Sequence, residues 1–195
     1  NNHIAQNGAE TAGAAGGGIA LCTGSQNYNV SSNYICGNFS AGHGGGIGHL
    51  GWSGGSTIAN NTVIFNQSFN QGVNVSGGGI FVGVTGELAV VNTTISSNTA
   101  QQAGGGIYFD ALTNVAMLVN ATITDNRADR DGTTNCLGGG IYVFSIAGGK
   151  VRLDRQTCEG HLVQHLGRHL RDRDPAVALR KKRTFSSQAT DRLAH

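Results

Sequence analysis

Asn92-Thr-Thr-Ile95-Ser-Ser-Asn98-Thr-Ala100, followed three residues later by Gly104-Gly-Gly-Ile107-Tyr-Phe109, is the stretch on which the fold turns. Both halves recur. Gly-Gly-Gly-Ile ends at Ile19, Ile47, Ile80, Ile107 and Ile141. A second motif, Asn-x-x-Ile-x-x-Asn, interleaves with it at Asn1/Ile4/Asn7, Ile35/Asn38, Asn61/Ile64, Asn92/Ile95/Asn98 and Asn120/Ile123/Asn126. The isoleucines of this second series lie 31, 29, 31 and 28 residues apart. Two motifs that alternate at near-constant period mark a stack of equivalent coils.

One unit is too short to fold alone and holds brief alternating runs, such as Leu88-Ala-Val90 and Ile107-Tyr-Phe109, bounded by glycine, asparagine or serine. These runs are expected to be strands. Stacking coil on coil lets each strand bond its equivalent about 4.8 Å away and piles the isoleucines into one apolar column. Sharp turns between short strands call for glycine, which reaches positive φ without strain. Asparagine tolerates the same conformation, and equivalent asparagines can ladder from coil to coil. No segment before Lys150 has a helical apolar period, so the parallel strands must be joined by loops. The expected fold is all-β: a right-handed, single-stranded parallel β-helix of five to six coils. An antiparallel sandwich would not need the same isoleucine about every 30 residues.

Composition agrees. There are 32 glycines against one proline in 195 residues, which excludes collagen, and the charged fraction of 12% is unlike a charge-rich disordered chain. No run of 18 apolar residues is present, so no membrane-spanning helix is expected. The net charge of +2 conceals two unlike parts. Residues 1–149 carry two basic and six acidic side chains, and the remainder carries 11 basic and five acidic ones. The expected division is a repeat domain over residues 1–160, a piece of a longer solenoid, and a basic tail over 161–195. A last half-repeat, Val151-Arg-Leu-Asp-Arg-Gln-Thr-Cys158, aligns with Leu88 to Ile95. No further Gly-Gly-Gly-Ile follows it. The tail is either a helical or disordered extension or an out-of-frame continuation.

The phrases Asn92-Thr-Thr-Ile-Ser-Ser-Asn-Thr-Ala100 and Gly104-Gly-Gly-Ile-Tyr108 resemble the β-helix repeats of bacterial secreted surface proteins, including the polymorphic outer-membrane protein group and autotransporter passengers. The resemblance implies a pectin-lyase-like architecture and a secreted or cell-surface location. It does not carry an activity, because that architecture hosts many.

The candidate chemistry is sparse. Asp125, Asp129 and Asp131, with Gly132, are the densest acidic group of the repeat region and the weak candidates for a Ca²⁺ site. Arg127 and Arg130 lie among them, which favours a salt-bridged loop, and neither a resident metal nor any other cofactor is expected. The acids before Lys150 are otherwise Glu10, Glu87 and Asp110, with no paired carboxylates at equivalent sites, so no catalytic residue is assigned. Gly46-Ile-Gly48-His-Leu-Gly51 matches GxGxxG, yet Trp52-Ser-Gly-Gly follows where a nucleotide site needs a helix. His43, His49 and Trp52 read as polar groups at the edge of a coil. The sequons at Asn60, Asn92 and Asn120 share a repeat position, and turn formation accounts for them better than glycosylation. His161, His165 and His169 have metal-compatible helical spacing, interrupted by Gly167. Arg180-Lys-Lys-Arg183 reads as a solvated tail, and no nucleic-acid partner is expected.

Strand alternation turns Phe81, Tyr108 and Tyr142 away from the inward isoleucines, as an aromatic column on three successive coils that could dock a ligand. The functional expectation is a non-enzymatic stalk or adhesive segment of a large surface-exposed bacterial protein, with a polysaccharide or a host or neighbouring protein as partner. The alternative is a piece of a polysaccharide lyase or hydrolase whose catalytic coils lie elsewhere.

Overall fold

The computed structural model describes residues 1–51, 54–70, 74–83, 87–110, 115–128, 138–144 and 150–154, together with the backbone of 157–159. Among these residues every strand pairing is parallel and no helix occurs. The chain is a parallel β-solenoid of about four turns, slightly fewer than the five to six coils anticipated.

Four sheets run along the solenoid. The first stacks β1 (His3–Ala5), β5 (Tyr34–Cys36), β9 (Thr62–Ile64), β13 (Thr94–Ser96), β17 (Thr122–Thr124) and β20 (Thr157–Glu159). The second stacks the short strands β2 (Gly8–Ala9), β6 (Phe39–Ser40), β10 (Gln67–Ser68) and β14 (Thr99–Ala100). The third holds β3 (Ile19–Leu21), β7 (Ile47–Leu50), β11 (Ile80–Gly83), β15 (Ile107–Asp110) and β18 (Ile141–Val143). The fourth holds β4 (Asn29–Ser31), β8 (Ser56–Ala59), β12 (Leu88–Val91), β16 (Val115–Val119) and β19 (Lys150–Asp154).

The Gly-Gly-Gly-Ile isoleucines are in register, Ile19 on Ile47, Ile80, Ile107 and Ile141. Ile47, Ile80 and Ile107 are fully buried, each contributing roughly 1.5–3 kcal/mol by leaving water. The second inward column differs from the motif in one coil. Val63, not Ile64, pairs with Ile35 and Ile95, and Ile64 faces outward opposite Cys36 and Ser96. Two coils in this series therefore differ in length from the sequence alignment, and side-chain alternation converts that one-residue slip into an exchange of faces. The half-repeat at Val151 to Cys158 takes the anticipated register, with Val151 on Ala116 and Cys158 on Ile123.

The glycine triplet has two separate physical tasks, visible at Gly77-Gly78-Gly79. Gly77 has φ +72, as its equivalents Gly44 and Gly104 also have positive φ. Gly79 is needed for closeness: a Cβ there would lie 2.7 Å from the Gly106 carbonyl oxygen of the next coil. Asparagine serves the corners of the first sheet, where Asn60, Asn92 and Asn120 have φ of 55, 46 and 50.

Candidate functional site

Two kinds of side-chain ladder follow from this register. The first is amide. Asn38 donates its Nδ2 to Asn66 Oδ1 at 2.9 Å, Asn66 to Asn98 and Asn98 to Asn126 at 3.0 Å each. Asn7 joins at one end, donating to Asn38 at 2.9 Å. Each amide also serves the backbone, as when Asn66 donates to the Ile35 carbonyl and its Oδ1 accepts from the Asn38 N–H. The residue before each ladder asparagine is in the left-handed region, at Gln6, Gly37, Phe65, Ser97 and Asp125. That turn aims the following asparagine inward. A parallel ladder, Asn2 to Asn33 to Asn61, ends where Thr93 takes the next place. An exposed third one links Asn120 to Asn92 and Asn92 to Asn60, through the three sequon asparagines.

The second kind is aromatic. Phe81, Tyr108 and Tyr142 are register partners on β11, β15 and β18 and form the anticipated column. The Phe81 and Tyr108 rings stack with centroids 5.3 Å apart and planes 13° apart, and Tyr108 and Tyr142 follow at 5.3 Å and 44°. Gly48 occupies the Phe81 position in the preceding coil, and the His43 imidazole fills the space, stacked on Phe81 at 4.4 Å. The column points away from the central core, yet not into solvent: Phe81 is 4% and Tyr108 8% exposed, packed with Ala103 and Leu50 in a second apolar cluster. Burial raises the proton affinity of the Tyr108 hydroxyl, and the nearby Asp110 charge adds to it.

This geometry decides what the column can do. A sugar ring docks on an open aromatic face, and the faces of Phe81 and Tyr108 are occupied by their neighbours. The accessible part is the far end, where Tyr142 is half-buried and Phe144, 59% exposed, stands 6.4 Å from both tyrosine rings. A separate shallow groove runs along the corner between the first and fourth sheets, lined by His3, Ser32, Asn33, Tyr34, Asn60 and Thr62. Its lining is amide, hydroxyl and aromatic, and Tyr34 packs edge-on against His3.

His43 and His49 are not at the edge of a coil. His43 lies under the aromatic stack, with the Ser76 N–H donating to its Nδ1 at 3.1 Å, and burial lowers its proton affinity against the attraction of Asp110. His49 is 1% exposed and belongs to the central core, where its Nδ1 meets the Tyr28 hydroxyl at 2.6 Å. Sequence reading missed this pair. The signal was available, since His49 stands two residues after a repeat isoleucine where other coils have Leu21, Val82, Phe109 and Val143. Ile47–Leu50 is a strand entering from a glycine turn, so the GxGxxG match has no nucleotide geometry.

Asp125 is exposed at a left-handed corner and accepts a hydrogen bond from the Thr124 hydroxyl at 3.2 Å. Asp129, Asp131, Arg130, Trp52 and residues 161–195 lie outside the described residues. Among the described residues no helix is long and apolar enough to cross a membrane. No family model, curated protein or solved structure matches the chain.

Proposed function

We propose that this chain is a non-enzymatic stalk or adhesive segment of a larger secreted or surface-exposed bacterial protein. The observation that supports this reading best is the continuity of the asparagine ladder through five successive asparagines, from Asn7 to Asn126. A ladder of this kind ties each coil to the next through side-chain amides, buried at Asn38, Asn66 and Asn98, as well as through backbone, which resists bending and shear along the axis. The groove at Tyr34 and the exposed ring at Phe144 are the surfaces such an adhesive role would use. The surface location rests on the resemblance of the repeats to those of bacterial surface proteins.

The test is antibody labelling of intact source cells, combined with an assay for unsaturated uronate release from pectic polymers by the native protein. Labelling of unbroken cells without uronate release is the expected result. Labelling that appears only after lysis, or sustained release of unsaturated product, would overturn the reading.

A further inference from the structure

The exposed corner between the fourth and first sheets is built from one residue per coil. Ser32, Asn60, Asn92 and Asn120 occupy it in turn, each in the left-handed region and each donating its N–H to the last residue of the fourth-sheet strand one coil on. Two residues later comes the first outward position of the first sheet, taken in register by Tyr34, Thr62, Thr94 and Thr122. Three of these coils therefore repeat an asparagine followed by a threonine. The coil of Ser32 and Tyr34 departs at both places at once.

Each departure has a geometric result. Asn120 donates to Asn92 and Asn92 to Asn60, and the column then stops, because the Ser32 side chain is too short to take the next amide. Among the described residues Asn60 Nδ2 has no acceptor, and it borders the notch left over Ser32. Tyr34 sets a ring that is 41% exposed where the repeat elsewhere uses threonine, braced by His3 with centroids 5.0 Å and planes 68° apart. The ring belongs to neither apolar cluster, so core packing does not account for it.

The resulting groove, about 580 Å³, has the volume of a site for a small molecular unit. One exposed ring does not supply the area of a protein interface, about 1,200 Å² or more. The lining at Ser32, Tyr34, Asn60 and Thr62 combines an aromatic face with an amide donor and two hydroxyls, and it includes no carboxylate, lysine or arginine. That set complements a neutral sugar ring, whose C–H face lies on an aromatic and whose hydroxyls both donate and accept. From the notch, Asn60, Asn92 and Asn120 run on along the axis beside Thr62, Thr94 and Thr122, so further units of one polymer meet amides and hydroxyls coil after coil.

We propose that the notch at Ser32 and Tyr34 is a binding subsite for a neutral polysaccharide. One sugar ring lies on Tyr34, its hydroxyls bond Asn60 Nδ2 and the Ser32 and Thr62 hydroxyls, and the polymer follows the corner. This assignment rests on the adhesive reading above and gives it a ligand class.

The experiment is affinity electrophoresis of the native full chain in gels containing galactomannan, mixed-linkage β-glucan or dextran, with a polygalacturonate gel and a plain gel alongside. The expected result is retardation in at least one neutral gel, kept in Tyr34→Phe and Phe144→Ser and lost in Tyr34→Thr and in Ser32→Asn. The last two restore residues that other coils carry, so both should fold, which circular dichroism checks. No retardation in any neutral gel, retardation by polygalacturonate alone, or retardation unchanged in either repeat-restoring variant would overturn the proposal. So would a dimer of the parent chain that Tyr34→Thr abolishes, which would assign the groove to a second copy. Failure in the gels with unbroken cells still labelled removes the ligand class alone, whereas retardation without cell labelling removes the surface location alone.

Discussion

Asn66 donates to Asn98 at 3.0 Å while the backbone N–H of Asn66 reaches the same Oδ1 at 2.9 Å. Asn98 in turn donates to the Val63 carbonyl at 2.8 Å and to Asn126. One fully buried side chain thus satisfies four groups on the two coils that flank its own. Asn98→Ala removes all of these partners where water cannot replace them. The expected cost is about 3 kcal/mol or more, from several buried groups at about 1–3 kcal/mol each, read from urea unfolding followed by circular dichroism.

Thr93 interrupts the second ladder. Its hydroxyl donates to the Val91 carbonyl at 2.9 Å, and the Asn61 N–H reaches that oxygen only at 3.5 Å. Thr93→Asn extends the ladder by one amide at a buried position beside the small Ala121. A gain of about 0.5–1 kcal/mol is expected, measured as a raised thermal midpoint. A lowered midpoint would mean that the space beside Ala121 does not admit the longer side chain.

Glycine positions should divide by what surrounds them. In Gly79→Ala the new Cβ meets the Gly106 carbonyl oxygen at 2.7 Å and Asn98 Nδ2 at 2.9 Å, with backbone on one side and a committed amide on the other. A loss of about 2 kcal/mol or more is expected. Gly54→Ala meets no heavy atom within 4 Å, so its midpoint should stay within about 0.5 kcal/mol of the parent. Parallel urea titrations of the two variants test the contrast.

Alkaline pH provides another check. Burial raises the proton affinity of both the Tyr28 and Tyr108 hydroxyls, so the folded chain keeps them neutral where an unfolded tyrosine ionises, near about 10. The stability they confer is present below that value and is lost as pH rises beyond it. Tyrosinate absorbance for these two residues should appear together with loss of the strand signal in circular dichroism. Ionisation of both in a chain that retains full strand signal would contradict their buried placement.

The legible part of the fold was periodic. Isoleucines recurring after Gly-Gly-Gly identified an inward column, and that column formed in register from Ile19 to Ile141. The Phe81, Tyr108 and Tyr142 column was also legible, because strand alternation determines which face a residue takes. Its burial was not. Whether an outward ring meets solvent depends on Ala103, Leu50 and His43, which lie in other segments and other coils. The Asn61/Ile64 copy misled for a related reason: a motif match tolerates a shift of one residue, and a strand does not.

Sequence by itself determined that this chain is a stack of parallel coils, since spacing, turn glycines and inward apolar residues are local properties repeated in every unit. Tertiary structure alone decided that Tyr28 and His49, 21 residues apart, share a hydrogen bond in the core. The reason is physical. Period is written along the chain, whereas the contacts between coils depend on how turns of unequal length bring side chains into register.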